Sequence, residues 1–180
     1  MIFYNIGDGY SSGCCTDNLY KIAQDDPKYF GARDVEHPDN KPGSFINHLG
    51  ELYKARTITV GRHNLTMKDM LDNLERYESE IQSHNDQVMA WIGIPKLTED
   101  TDKQYLEMFI QRISNIVHKV IVYRTTHMES LDLNLPNNVT FLNESIVETL
   151  SQEHKPYRRG YFDKEANKSL KGSFLKLLWE

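Results

Sequence analysis

Apolar and polar positions alternate between two rhythms along this chain. Short apolar runs, rich in β-branched residues, predict strands over Ile2–Ile6, Thr57–Val60, Val88–Ile92, Val120–Tyr123 and Val139–Leu142. Between them the apolar residues recur at intervals of three and four. Phe45, Ile46, Leu49, Leu52 and Tyr53 mark one helix, with Ser44 placed to cap it. Met67, Met70, Leu71, Leu74, Tyr77 and Ile81 form a second stripe, which the Thr66-x-x-Asp69 capping signature opens as a single helix. Leu106, Phe109, Ile113 and Ile116 form a third, starting at Asp100 or Thr101. Ile146–Leu150 reads as a short helix, and Leu170, Phe174, Leu177 and Leu178 as a C-terminal one. The polar stretch from Asp17 to Gly43 holds Pro27, Pro38 and Pro42 and reads as an elaborated surface loop, with a short helix at Leu19–Ala23.

Strands that alternate with amphipathic helices imply right-handed βαβ units. The expectation is a three-layer α/β/α sandwich, with a five-stranded parallel sheet in the flavodoxin-like order 2-1-3-4-5. In that order the turn after the first strand sits at the switch point, on the carboxyl edge where ligands bind. The turn is Gly7-Asp8-Gly9-Tyr10-Ser11-Ser12-Gly13. Its glycines allow a sharp bend and leave amide N–H groups free to face a ligand. The carboxyl edge should gather residues 7–13, 61–64 and 93–97.

Composition narrows the classes. With 180 residues, 39% hydrophobic and 26% charged, the chain is expected to be one globular domain, 1–180. Mean hydropathy is -0.61, and no apolar run approaches a membrane span. The first residues, Ile2-Phe3-Tyr4, show no basic or apolar leader, so a cytoplasmic protein is expected. Cys14 and Cys15 are adjacent, which disfavours both a disulfide scaffold and a metal pair. No histidine pair has metal-ligand spacing, and no metal or cofactor is expected. A net charge of -5 gives no bulk attraction to nucleic acid or to anionic membranes. Any anion site must be local. Basic residues do follow the strands: Arg62 and His63, Lys96, Arg124, then Lys155, Arg158 and Arg159.

The turn resembles the first block of the SGNH (GDSL-type) hydrolases, Gly-Asp-Ser-x-(Ser/Thr)-x-Gly, whose first serine is the nucleophile. Here that position is Gly9. Gly61 and Asn64, in Val60-Gly61-Arg62-His63-Asn64, match the family's second block, whose glycine N–H helps build an oxyanion hole. Trp91-Ile92-Gly93-Ile94-Pro95 stands in place of the third block and lacks its asparagine. Phe162-Asp163-Lys164-Glu165 stands where the family has Asp-x-x-His or Asp-x-His, and no histidine follows. The layout is similar to small phage-encoded members.

The resemblance implies an SGNH fold without its catalytic set. The function expected from it is binding or assembly, as in a phage accessory or virion-associated protein acting in the host cytoplasm. Its ligand surface would comprise Gly9, Tyr10, Gly61, Arg62, His63, Asn64 and Lys96, facing a protein partner or a small anion. Two alternatives stay open. One is a divergent esterase, deacetylase or phosphoesterase using Ser11 or Ser12, His63 or His154, and Asp8 or Asp163. The other is an anion- or nucleotide-binding protein that uses the basic strand ends.

Overall fold

The computed structural model describes residues 1–12, 32–34, 44–61, 64–125, 131–155, 165–166 and 168–169. The elements in chain order are β1 (Ile2–Gly7), α1 (Gly9–Ser12), β2 (Ala32–Asp34), α2 (Phe45–Tyr53), β3 (Arg56–Gly61), α3 (Met67–Asp72), α4 (Leu74–Gln82), β4 (Val88–Ile94), α5 (Asp102–Ser114), β5 (Lys119–Arg124), β6 (Val139–Ser145) and α6 (Ile146–Ser151). The sheet order is β2-β3-β1-β4-β5-β6. The five parallel strands β3, β1, β4, β5 and β6 thus run in the expected order 2-1-3-4-5. The sixth, β2, pairs antiparallel with the outer side of β3. It arises inside the segment read as loop, where three strand residues lie among prolines and charges.

Strand alternation sorts the core into two layers. Ile2, Tyr4 and Ile6 of β1 join Met67, Met70, Leu74, Tyr77, Ile81, Leu106, Phe109, Ile110 and Ile113 from α3, α4 and α5. Phe3 faces the other way and meets Trp91, Ile121 and Tyr123, covered by Phe45, Ile46 and Leu49 of α2 and by Ile146 and Leu150 of α6. Phe45 stands edge-on to Tyr123 at 5.3 Å and to Trp91 at 6.5 Å. Tilted and edge-on contacts place positive ring edges against negative faces. The Tyr4 hydroxyl, deep in the first layer, donates to Glu80, which also accepts from Arg76 Nε at 3.2 Å. Burial and that carboxylate both push the Tyr4 phenol up, so it stays a neutral donor.

Three local expectations change. The stripe from Met67 to Ile81 is two helices, because the chain turns at Asn73, whose side-chain amide and backbone N–H both donate to the Asp69 carbonyl. Helix α5 begins at Asp102, and the Asp102 carboxylate folds back to accept the N–H groups of Thr98 and Glu99 at 2.8 and 3.0 Å. Ser44 precedes α2 but makes no side-chain capping bond. The expected Leu19–Ala23 and C-terminal 170–178 helices lie outside the described residues.

The Thr66–Asp69 capping box is formed in full. The Thr66 hydroxyl accepts from Asp69 N–H at 3.1 Å and Asp69 Oδ2 accepts from Thr66 N–H at 3.0 Å. Thr66→Ala strands one helix-end donor and should cost about 1 kcal/mol in urea unfolding, while Thr66→Ser should be close to neutral.

Candidate functional site

The carboxyl edge is built on glycine. Gly7 closes β1 and lies beside Gly61, the last residue of β3, in the parallel ladder. On its other side Gly93 of β4 follows the Ile6–Ile92 pair, and a Cβ built on Gly7 would come 3.5 Å from the Gly93 Cα. Three adjacent strands therefore carry no side chain at the same level. Gly61 has φ 142°, a conformation that side chains rarely adopt, so the sharp exit from β3 requires glycine. Asn64, at φ 56°, is exposed at the start of the following turn. Gly9 is two residues beyond Gly7. Neighbouring strands are about 4.8 Å apart and each chain step is about 3.8 Å, which keeps Gly9 and Gly61 within about 12 Å of each other.

Asp8 organises the turn. Its Oδ1 accepts the N–H groups of Tyr10 and Ser11 at 3.0 and 3.3 Å, which caps the single turn of α1. Its Oδ2 accepts from the Thr125 hydroxyl, at 3.0 Å, just past the end of β5. Burial pushes the Asp8 carboxyl up to about 6, against the pull of these donors toward the ionised form.

Ser11 lies directly beneath. It is fully buried, and its Oγ occupies the notch over Gly7 and Gly93, where an added Cβ would come within 2.2 and 2.3 Å of it. The hydroxyl sits near enough to Asp8 and Tyr123 to favour their charged forms, yet it makes no aligned hydrogen bond. The Ser11 carbonyl accepts from Asn5 Nδ2 at 2.8 Å, and Asn5 Oδ1 accepts from the Tyr123 hydroxyl at 2.7 Å. Burial and the nearby Asp8 charge raise the Tyr123 phenol, which therefore serves as a neutral donor. Buried Asn5, Ser11, Tyr123 and Thr125 form one polar cluster with the half-buried Asp8 under the glycine turn.

The candidates named from sequence separate in the fold. Gly9, Tyr10 and Gly61 stand at this edge, and Asn64 and Lys96 on the exposed turns that leave it. Lys96 is bridged through its backbone to Thr66. Ser11 is there too, but as packing: a hydroxyl with no exposed surface meets no substrate in this conformation. His154 follows α6, and its Nε2 lies 3.0 Å from Ser169 Oγ. The Ser169 hydroxyl donates to the Ala166 carbonyl at 2.7 Å, so His154 meets it as a donor. Arg62, His63, Asp163 and the side chain of Ser12 lie outside the described residues. Among the described residues no three His, Cys, Asp or Glu side chains gather as metal ligands, and no helix is long and apolar enough to cross a membrane.

Sequence reasoning missed three members of the cluster. Asn5 carries a signal, a carboxamide in the middle of an apolar strand, which must find partners when buried. Tyr123 and Thr125 carry none, because they meet Asn5 and Asp8 across more than a hundred residues of chain.

No known family profile and no curated protein matches the sequence. Solved structures do match. A protein assigned to the G-D-S-L lipolytic family, from Desulfitobacterium hafniense DCB-2, superimposes with a TM-score of 0.60 at 13% identity, over 98% of each chain. A catalytic mutant of an acetylxylan esterase from Geobacillus stearothermophilus gives 0.59 at 12% identity, over 97% of this chain and 92% of its own. At such identities the likeness concerns architecture, and it extends over nearly the full length of all three chains. With the 2-1-3-4-5 parallel sheet and a glycine turn at its switch point, the protein has an SGNH hydrolase-like fold.

Proposed function

We propose that the protein is a catalytically silent member of this fold, with a binding or assembly role centred on the glycine turn. The observation that carries the reading is the state of the turn itself. Position 9 offers no side chain, and the hydroxyl of Ser11, two residues on, is sealed in the notch of Gly7 and Gly93. Both neighbours bear names of ester- or lipid-cleaving proteins. That chemistry needs a hydroxyl, a base within hydrogen-bond reach and donors aimed at the oxyanion, acting as a unit. Here Asp8 is engaged in capping α1 and holding Thr125. His154 is directed to Ser169. What remains at this edge is glycine backbone, which suits a small anion or an inserted loop of a protein partner, as in a phage accessory or virion-associated protein.

Turnover of p-nitrophenyl acetate tests this reading. Wild-type protein should not exceed the buffer rate, and Gly9→Ser should not by itself give efficient hydrolysis, because a lone nucleophile without base and oxyanion donors supplies little. Saturable turnover by the wild type that disappears in Ser11→Ala or Ser12→Ala would establish a divergent hydrolase instead. Binding is read separately. Phosphate, sulfate or a nucleotide that occupies the edge should raise the melting temperature, more weakly in Lys96→Ala and at high salt. A flat response across millimolar anions would direct the search to protein partners.

A further inference from the structure

A threonine hydroxyl has one proton to give. At Thr125 two acceptors compete for it: Asp8 Oδ2 at 3.0 Å and the Ile94 carbonyl at 3.2 Å. The Thr125 carbonyl in turn accepts from the Val147 N–H at 3.0 Å and from the Ser145 hydroxyl at 3.3 Å. Ser145 is the residue that caps α6, accepting from Glu148 N–H at 3.3 Å. One residue thus joins the glycine turn, the end of β4 and the start of α6.

We propose that Asp8 and Thr125 form a proton-operated latch coupling the glycine turn to the start of α6. With Asp8 ionised, the Thr125 hydroxyl donates to Asp8 Oδ2. When the carboxylate takes a proton from water, its new O–H donates to Thr125 Oγ, and the threonine proton turns to the Ile94 carbonyl. The carboxyl and the threonine hydroxyl stay partners in both states with the direction of their hydrogen bond reversed, and the Ile94 carbonyl receives the threonine proton only in the protonated state. The proton returns to water on ionisation, so no further reactant is needed.

The surroundings suit such a device. Burial brings the carboxyl to about 6, within reach of ordinary pH changes. From its own turn Asp8 meets the N–H groups of Tyr10 and Ser11 and the Ser11 hydroxyl. From β5 it meets the neutral phenol of Tyr123, and from just past that strand the hydroxyl of Thr125. Arg124, between those two in sequence, is a buried cation at a register shift of β5, and it is the nearest charged residue of that strand. β3 and β4 bring Gly61 and Gly93 to this level, which carry no charge. The latch goes beyond the binding role and does not depend on it, since an active hydrolase with this geometry would contain it as well.

Amide chemical shifts of the full chain, followed from pH 4.5 to 7.5, test the latch. Tyr10, Ser11 and Val147 should move together with one midpoint near that of the Asp8 carboxyl carbon. Thr125→Val should raise the midpoint at Tyr10 and Ser11 by about one pH unit, the effect of removing a hydrogen bond to a charged group. It should also silence Val147, and Thr125→Ser should restore the coupling. Asp8→Asn should abolish all three responses. A flat Val147 in wild-type protein while Tyr10 and Ser11 titrate overturns the latch. So does absence of any titration at Asp8 in this range, or a Val147 response that persists in Asp8→Asn. The wild-type titration decides the matter alone if a variant fails to fold.

Discussion

Gly7→Ala is expected to be the most damaging single-methyl change in the sheet, destabilising the protein by about 3 kcal/mol. The new Cβ would lie 2.2 Å from Ser11 Oγ and 2.5 Å from Ser11 Cβ, so the start of α1 must move away from the strand. That movement breaks the Asn5–Ser11 carbonyl bond and disturbs the Asp8 cap. Gly93→Ala meets a different obstacle. Its Cβ would lie 2.3 Å from Ser11 Oγ, with the Tyr123 ring next at 3.1 Å. The two glycines therefore differ in how they can be rescued. Ser11→Ala removes only the Oγ, so it should recover most of the Gly93→Ala loss and little of the Gly7→Ala loss. Paired urea denaturation in a double-mutant cycle reads this directly. Equal rescue of both would show that Ser11 does not occupy the notch described.

The second large effect is electrostatic. Asp8 is raised from its ordinary value of 3.8 to about 6 by burial. The folded chain therefore binds this proton more tightly than the unfolded chain. Its stabilising contribution is complete below pH 3.8 and is lost as pH rises through about 6. A difference of about two pH units corresponds to about 2–3 kcal/mol. Asp8→Asn keeps an oxygen for the Tyr10 and Ser11 N–H groups. Its amide can donate to Thr125 Oγ, while the threonine proton goes to the Ile94 carbonyl, which is 3.2 Å away. The variant should lose this pH dependence, and at pH 7.5 it should be more stable than wild type by up to that amount. The comparison is of urea midpoints at pH 4.5 and 7.5. An Asp8→Asn chain less stable than wild type at pH 7.5 would mean that the ionised carboxylate is a net contributor to the fold.

Much of the frame is legible in the residues, for physical reasons. The buried parallel strands read as apolar runs because both their faces are covered. The Thr66–Asp69 box is readable because its bonds are local. Gly7 and Gly61 stand out as the exits from the first two long strands. What escapes the sequence is set by tertiary contact. A three-residue edge strand, Ala32–Asp34, owes its existence to β3 beside it and not to its own pattern. The apolar stripe crosses Asn73 without a break, while the backbone turns there. The site shows the same division. Glycine at position 9 is visible at once. That Ser11 faces inward is not, because its environment is made by Gly93 and Tyr123 from strands far along the chain. Asn5 lay in plain view as a polar residue in an apolar strand, and only its partners give it meaning.

The central claim is that this SGNH-like edge holds no usable nucleophile. Intact mass after incubation with a fluorophosphonate probe tests it most directly, since the probe captures an activated serine whatever the natural substrate. At neutral pH the mass of the chain should be unchanged. A stoichiometric single adduct that maps to Ser11 or Ser12 would contradict it.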